Sequence, residues 1–503
     1  MRERIEPDAA TPPVLVADAG TPAAAPWRIP ASLWVWLAVL VATYALPQLL
    51  AVRGSGEKMV RESGLSSASF QRLGQAEYLT RVALVPEFAS SPQIKTTPPA
   101  QTAANIYREV AQQSGSVASA RKAFVLDALQ KKPLDEKLLT GAHAQNLSKR
   151  GARAGDISTE LAFWRSLYGA DKTASFSPDE GDAAIARVKT YNLGILEGQT
   201  IADIYTRTDR PADAKRVAKA MQTKATGEVL RLVGLIVALL CAALMGLVFW
   251  AMFLSSVRSK RWETVGRIRL LGDLPGTAPN GGALLDVFVA YLAMARGIGL
   301  LVGSAPALDG ISPIALSAGV YVGSGILAFY YLLYQTRRNG WNLSGLGLRP
   351  VKPAELWYGV AGYCAALPLT FALGYINTQV FKDSQSSLTP NPVLPMIAGE
   401  GSIGGRVVLF LLVAIAAPVI EELFFRGVLY SALKTRFSTV ACVLLSGACF
   451  AVVHPMGDWL PIFGLGCLLG TVRELRQSIV PGIAVHFCQN AMAFVLMSSM
   501  FGR

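Results

Sequence analysis

The chain has 503 residues, of which 52% are hydrophobic and 16% are charged, and its formal net charge is +13. Soluble globular proteins have about 25% charged residues, so this composition excludes a cytosolic enzyme, and the apolar excess excludes a disordered scaffold. In a membrane protein the positive charge matters through the positions of Lys and Arg, so it does not indicate binding to nucleic acid.

The amino-terminal part divides into three predicted segments. Residues 1–31 are rich in Ala and Pro, which is typical of a disordered tail. Residues 32–52 are apolar, and this stretch is longer and starts later than the apolar part of a cleaved signal peptide. We therefore interpret it as a signal-anchor transmembrane helix. Residues 53–228 are more polar and form a separate domain.

Helices are predicted in the polar domain. Apolar residues recur three and four positions apart in 104–130 and 182–223, which is the periodicity of an amphipathic helix. Residues 193–221 indicate two helices joined at 208–211, and this pair resembles one tetratricopeptide unit without a second copy. No cluster of catalytic residue types occurs here, so we interpret the domain as a docking or regulatory domain for a protein partner.

From residue 229 onward the chain has the pattern of a polytopic membrane protein. Apolar runs of roughly 20 residues recur, and this length crosses about 30 Å of hydrocarbon as a helix. With the first span they predict an all-α protein of about nine transmembrane helices, with the polar domain inserted after the first. The later spans are 232–254, 284–303, 313–334, 357–380, 407–425, 439–454, 460–472 and 479–500. We assign 229–344 to accessory helices, in which Arg296 has no explanation from the sequence.

Lys and Arg in the short loops predict the orientation. Basic residues follow the second, fourth, sixth and eighth spans, whereas the alternate loops 304–312 and 455–459 contain only acidic charges. Lys and Arg mark the cytoplasmic side, so the amino terminus is predicted to be cytoplasmic and residues 53–228 extracytoplasmic. The expected location is the inner (plasma) membrane of a cell.

The cysteines and histidines limit the possible chemistry. All six cysteines lie in apolar stretches and none forms a CxxC pair, so neither a disulfide framework nor a thiolate metal site is expected. Two of the three histidines, His454 and His486, lie in apolar runs. An imidazole is costly there unless it has a partner or a task.

An acidic pair interrupts the sixth span. Glu421 and Glu422 are adjacent, and Arg426 lies one turn after Glu422, so Glu422 and Arg426 can pair on one helical face. Glu421 points about 100° away from that face and has no local counter-ion, which suits a general acid or base. The alternative is that both glutamates are solvated at the membrane interface.

Two histidine-containing groups lie in other late spans. His454 ends the seventh span one turn after Phe450, and His486 shares a helical face with Asn490 in the ninth. Taken singly, a histidine such as His454 at a helix end is usually a cap or core residue, and the other pair is equally a polar contact between helices. Together with the acidic pair, these residues predict convergence at one intramembrane cavity.

The three groups resemble the motifs of a known protease family. EELFFR at 421–426 fits an EExxxR motif, FAVVH at 450–454 fits FxxxH, and HFCQN at 486–490 fits HxxxN, in the family's order. GLGLR at 345–349 is similar to a stretch that precedes the family's core. On these residues the segment 345–503 resembles the core of the CAAX-protease and bacteriocin-processing (CPBP, Abi) family of intramembrane proteases.

The resemblance implies peptide-bond hydrolysis inside the membrane. It implies that Glu421 is the base that activates water and that His454 assists it. The pair of Glu422 and Arg426 would fix the helix that presents Glu421. His486 would stabilise the oxyanion or hold the reacting group, together with the asparagine that follows it by one turn.

The resemblance also leaves the cofactor open. His454 and His486 with a carboxylate match the ligand set of a catalytic zinc ion, and the family is often classed as a metalloprotease. The HExxH motif is absent, however, and a metal-free mechanism based on glutamate is the alternative. Zinc or another divalent metal is therefore one of two expectations.

The leading hypothesis is an intramembrane endopeptidase that cuts a membrane-associated protein or peptide in the lipid bilayer. The alternative is a catalytically inactive membrane scaffold that binds partners through residues 53–228. A transporter is a third possibility, because Arg296 and the glutamates could line a permeation path. The complete motif set favours the protease over both.

Overall fold

A computed structural model describes residues 27–50, 67–85, 98–150, 157–169, 176–258, 280–305, 308, 311–381, 391, 393–399 and 402–501. Within these ranges the chain forms seventeen helices and no strand, which confirms the all-α prediction. Most of the predicted tail, residues 1–26, lies outside the described residues.

Seven short helices and the start of a long one form the polar domain. Its buried core includes large aromatic side chains such as Tyr107, Phe124 and Trp164, each fully buried. Burial of such side chains supplies most of the stability of a domain of this size. The short helices are α2 (Ser67–Ala83), α3 (Pro99–Ser114), α4 (Val117–Leu129), α5 (Glu136–Arg150), α6 (Ile157–Tyr168), α7 (Pro178–Lys189) and α8 (Leu196–Arg207).

Helix α9 (Pro211–Arg258) joins the polar domain to the membrane part without a break. Helix α8 ends at Arg207 and α9 begins at Pro211, so the predicted helix pair joined at 208–211 is confirmed. Pro211 occupies the first position of α9, where the helix does not use a backbone N–H. The 48 residues of α9 span about 72 Å at 1.5 Å per residue. The predicted boundary between the polar domain and the membrane part, residue 228, falls inside this helix. No proline separates the polar half of the helix from its apolar half.

Every predicted span coincides with a helix in the described chain. Six helices are long and apolar enough to cross a membrane. They are α9, α10 (Gly281–Gly303), α11 (Pro313–Asn339), α12 (Pro353–Val380), α14 (Ile403–Lys434) and α17 (Val480–Phe501). The other three predicted spans are shorter or more charged, namely α1 (Ala31–Leu50), α15 (Thr439–Val452) and α16 (Trp459–Arg476). A seven-residue helix, α13 (Val393–Gly399), precedes α14.

The membrane helices expose apolar side chains on their outer faces. Leu240 and Leu244 of α9 and Trp357 of α12 are more than half exposed, as expected of side chains that contact lipid. Arg296 of α10, unexplained by the sequence, stacks its guanidinium over the ring of Tyr44 in α1 at 4.9 Å. It therefore contributes to the contact between these two helices.

The polar domain contacts the carboxyl-terminal end of α17. The ring centroids of Phe70 and Phe501 lie 4.9 Å apart. Met500 packs closely against Gly74, because a Cβ atom added to Gly74 would lie 2.8 Å from the Cε atom of Met500. The domain therefore packs against the end of α17, and the even number of predicted spans between them, eight, predicts the same side of the membrane for both. The extracytoplasmic location of that side stays a prediction.

Candidate active site

Helix α14 carries the acidic pair between two π-helical segments. Glu421 and Glu422 end a short α-helical segment, Ala417–Glu422, which follows Leu411–Ala416 and precedes Leu423–Leu429. Both flanking segments are π-helical, a wide helical geometry that is frequent at functional sites. The segment begins just before Pro418, which lacks the backbone N–H that a regular helix uses.

The predicted pair of Glu422 and Arg426 is present and fully buried. Arg426 Nη1 lies 3.1 Å from Glu422 Oε1, and neither side chain is exposed. Arg426 Nη2 also donates to the carbonyl of Gly466 on α16 at 3.1 Å. The guanidinium stacks over the ring of Phe450 at 4.3 Å. These contacts compensate a charge that would otherwise be costly at this depth.

His486 lies between the two glutamates. Its Nδ1 atom is 3.4 Å from Glu422 Oε1, and its Nε2 atom is 3.8 Å from Glu421 Oε2. The imidazole is 5% exposed and the Glu421 side chain 14% exposed. The structure therefore brings α14 and α17 together as the predicted cavity requires, and it supplies Glu421 with the partner that its own helix lacks.

Glu421 has a second partner that the sequence did not indicate. Tyr321, on α11, donates its hydroxyl proton to Glu421 Oε1 with an oxygen-to-oxygen distance of 2.5 Å. Glu421 Oε2, which faces His486, is buried and has no hydrogen-bond partner within the described part of the chain. The carboxylate thus has one oxygen, Oε1, that accepts a hydrogen bond from Tyr321, and one oxygen, Oε2, that faces His486. A tyrosine hydroxyl in an apolar span was the only signal for this contact.

His454 lies beside the same aromatic ring as His486. The Phe450 ring is 4.8 Å from the His454 ring and 5.6 Å from the His486 ring. His454 Nδ1 lies 2.7 Å from the carbonyl oxygen of Phe450. Because a carbonyl only accepts, Nδ1 must carry the proton, and Nε2 of the neutral ring is left as an acceptor. His454 contacts Phe450 and Trp459 and interacts electrostatically with Asp458.

Asn490 connects α17 to α14. Its Nδ2 atom donates to the carbonyl of Val413 at 2.9 Å, within the π-helical segment that precedes Glu421. A wide helical turn leaves carbonyls without regular partners, and the amide satisfies one of them. One amide proton of Asn490 is therefore committed to the scaffold. Its role toward an oxyanion stays a prediction.

The GLGLR stretch is held by an arginine of α16. Arg473 donates to the carbonyls of Gly345 and Arg426, at 3.3 and 3.2 Å. Gly347 has φ +83°, which favours glycine, and a Cβ atom there would lie 2.9 Å from the guanidinium. This motif therefore fastens the loop before α12 to α14.

The side chains present do not form the zinc site that the resemblance allows. A catalytic zinc ion is held by three protein ligands. Among the described residues, no group of three or more His, Cys, Asp or Glu side chains is arranged to hold a metal ion. His486 faces the glutamates, whereas His454 uses Nδ1 on a backbone carbonyl. The metalloprotease assignment stays a prediction.

A comparison with known families matches the segment that carries these residues. A family model described as "Rce1-like: type II CAAX prenyl endopeptidase Rce1-like" matches residues 403–492. The match includes all three polar motifs and excludes the GLGLR stretch. No curated protein and no solved structure gives a significant match. Residues 403–492 of this multi-span membrane protein therefore belong to the CAAX-protease family.

Proposed function

We propose that the protein is an intramembrane endopeptidase that hydrolyses a peptide bond in a membrane-associated protein or peptide. One observation carries the proposal. Glu421 Oε2, buried and without a hydrogen-bond partner in the described chain, lies 3.8 Å from His486 Nε2. Two groups with this separation can contact the same water molecule and the same reacting carbonyl.

Glu421 would act as the general base. A water molecule that donates to Oε2 loses a proton to it as the water oxygen attacks the carbonyl carbon of the substrate. The carbonyl oxygen becomes an oxyanion. When the C–N bond breaks, Glu421 returns the proton to the leaving nitrogen, and the products are a carboxylic acid, which then loses its proton to solvent, and an amine. The protonated Tyr321 hydroxyl keeps Oε1 occupied, so the transfer uses Oε2.

His486 would stabilise the oxyanion. In its doubly protonated form the ring donates Nε2–H, and Glu422 at 3.4 Å from Nδ1 stabilises the positive ring. The buried Arg426 in turn compensates Glu422. His454, with Nε2 as an acceptor, and Asn490, with its second amide proton, are the groups that would complete the contacts to the substrate.

The substrate class follows from where the site lies. The carboxylates are on apolar helices, so the scissile bond must enter from the bilayer or from its surface. The family description names a CAAX prenyl endopeptidase, and a lipidated peptide is therefore the first substrate to test. The polar domain contacts the end of α17 and would bind a protein partner or client outside the membrane.

The test is cleavage by matched variants in native membranes. We expect new peptide termini near membrane spans with the wild type, and none with Glu421→Gln or His486→Ala at equal abundance. The control is Glu355→Gln, because Glu355 lies on another helix, α12, and pairs there with Arg476 at 2.8 Å. This variant should cleave normally. Equal termini with Glu421→Gln and the wild type contradict the proposal. Partner binding without any cleavage supports the inactive scaffold.

A further inference from the structure

Tyr321 belongs to the accessory part of the chain, not to the segment that the family model matches. It lies on α11, 100 residues before Glu421 in sequence, whereas the match begins at residue 403. Its hydroxyl nevertheless donates to Glu421 Oε1 at 2.5 Å. A hydrogen bond to an ionised group is among the stronger ones in proteins. An accessory helix therefore contacts the carboxylate that the proposed mechanism uses.

The backbone of α11 is held close to α14 at this point. Gly325 lies one turn after Tyr321, so the two residues share a helical face. A Cβ atom on Gly325 would lie 2.6 Å from Ile420 Cδ1, and Ile420 directly precedes Glu421. The glycine permits this approach, and the approach places the tyrosine hydroxyl at the carboxylate.

A second tyrosine supports the first. Tyr291 on α10 lies beside Tyr321 and stacks on Phe424 of α14, with ring centroids 4.2 Å apart and an interplanar angle of 5°. Tyr291 therefore joins α10 to α14 beside the hydroxyl of Tyr321.

We propose that Tyr321 is a positioning residue for Glu421, which holds Oε1 so that Oε2 faces His486. This inference rests on the proposed function of Glu421 as the base. It makes accessory helix α11 a part of the active site. The expected consequence of losing the hydroxyl is a carboxylate that is less well oriented and more easily protonated, while the helices stay packed.

The first experiment does not require activity. Purified full-length protein in detergent is treated with dicyclohexylcarbodiimide, which modifies protonated carboxyl groups, and the labelling of Glu421 is followed by mass spectrometry as a function of pH. Tyr321→Phe should label about tenfold faster than the wild type at a fixed pH above the midpoint, because a hydrogen bond to the charged form is lost. The matched control is Tyr330→Phe on the same helix, where the side chain is 65% exposed.

The second experiment measures cleavage of a quenched-fluorescent farnesylated CAAX peptide. Tyr321→Phe should lower kcat about tenfold with little change in KM and should move the acidic limb of the pH profile to higher pH. Tyr330→Phe should match the wild type in both respects. A merely structural role would change abundance or KM without moving the pH profile.

The two experiments separate the inference from the function on which it rests. If labelling and pH profile are identical in Tyr321→Phe and the wild type, the role of Tyr321 is wrong, even if Glu421→Gln abolishes cleavage. If the wild type does not cleave this peptide or any membrane protein, or Glu421→Gln cleaves normally, the proposed function fails. The labelling result then still decides whether Tyr321 holds the carboxylate.

Discussion

The carboxylate of Glu422 lies directly against the backbone of Gly482. A Cβ atom on Gly482 would lie 2.7 Å from Glu422 Oε2, closer than real Cβ atoms come to a neighbour. Gly482 is one turn before His486 on α17. The missing side chain therefore lets α17 approach α14 closely enough to bring the imidazole between the two glutamates.

Gly482→Ala should lower cleavage at least tenfold while the protein still folds. The added methyl group must displace either Glu422 or α17, and overpacking of this kind costs about 1–3 kcal/mol. Cleavage of the peptide substrate and the thermal midpoint in detergent are the two measurements. The control is Gly374→Ala in α12, where a Cβ atom has no neighbour within 4 Å. Wild-type rates in Gly482→Ala would show that this contact does not matter for the site.

Arg426→Met should destabilise the protein strongly. Removing one partner leaves the buried Glu422 charge uncompensated, at a typical cost of about 3–5 kcal/mol. The double variant Glu422→Gln, Arg426→Met should recover part of this loss, because neither position of the pair then carries a buried charge. Thermal unfolding in detergent measures both variants.

The matched control for this pair is Arg476→Met. The Arg476 side chain is 31% exposed in its pair with Glu355, and pairs of this kind contribute about 0–1 kcal/mol. A double variant as unstable as Arg426→Met alone would mean that lost packing, not the isolated charge, causes the effect.

Chelation should leave cleavage largely intact. The described side chains do not form a three-ligand metal set, and the proposed steps use only Glu421 and His486 on the substrate. The measurement is the rate of cleavage after treatment with 1,10-phenanthroline, with a known zinc protease in the same detergent as the positive control. Loss of activity that added zinc restores, together with metal content that falls in His454→Ala, would establish the metalloprotease assignment.

The polar domain should lose stability in acid through Glu160. Burial opposes ionisation of this carboxyl, but bidentate hydrogen bonds from Arg121, at 2.6 and 2.7 Å, outweigh it and lower the pKa of Glu160 below its usual value. A lowered folded-state pKa gives stability that is fully present above the unfolded value of about 4.3 and is lost as the pH falls through the folded value.

Urea unfolding of the full chain in detergent, at several pH values between 6 and 3, measures this effect. Glu160→Gln should be less stable than the wild type at pH 6 and should lose less stability as the pH falls. The control is Glu136→Gln, because Glu136 pairs with Arg165 on the exposed surface. A wild-type pH profile in Glu160→Gln would assign the acid sensitivity to other carboxyls.

The helices were predictable because their signals are local. Each predicted span coincides with a helix, and the sequence also located the joint before α9. The continuity of α9 was not predicted, because the polar and apolar halves have different compositions although one backbone runs through both. The pairing of Glu422 with Arg426 was predictable for the same reason, since a spacing of four residues defines a helical face.

The amino-acid sequence by itself determined the membrane-spanning helical class, the order of the three polar motifs and the contacts within single helices. These depend on apolar length and on spacing along one segment. Only the tertiary structure decided that Tyr321 donates a hydrogen bond to Glu421 and that the Glu422 carboxylate packs against Gly482. The same is true of the hydrogen bond from the Asn490 amide to the Val413 carbonyl. Each of these contacts joins two helices that are far apart in the chain, and their approach is set by the packing of whole helices, which no local pattern records.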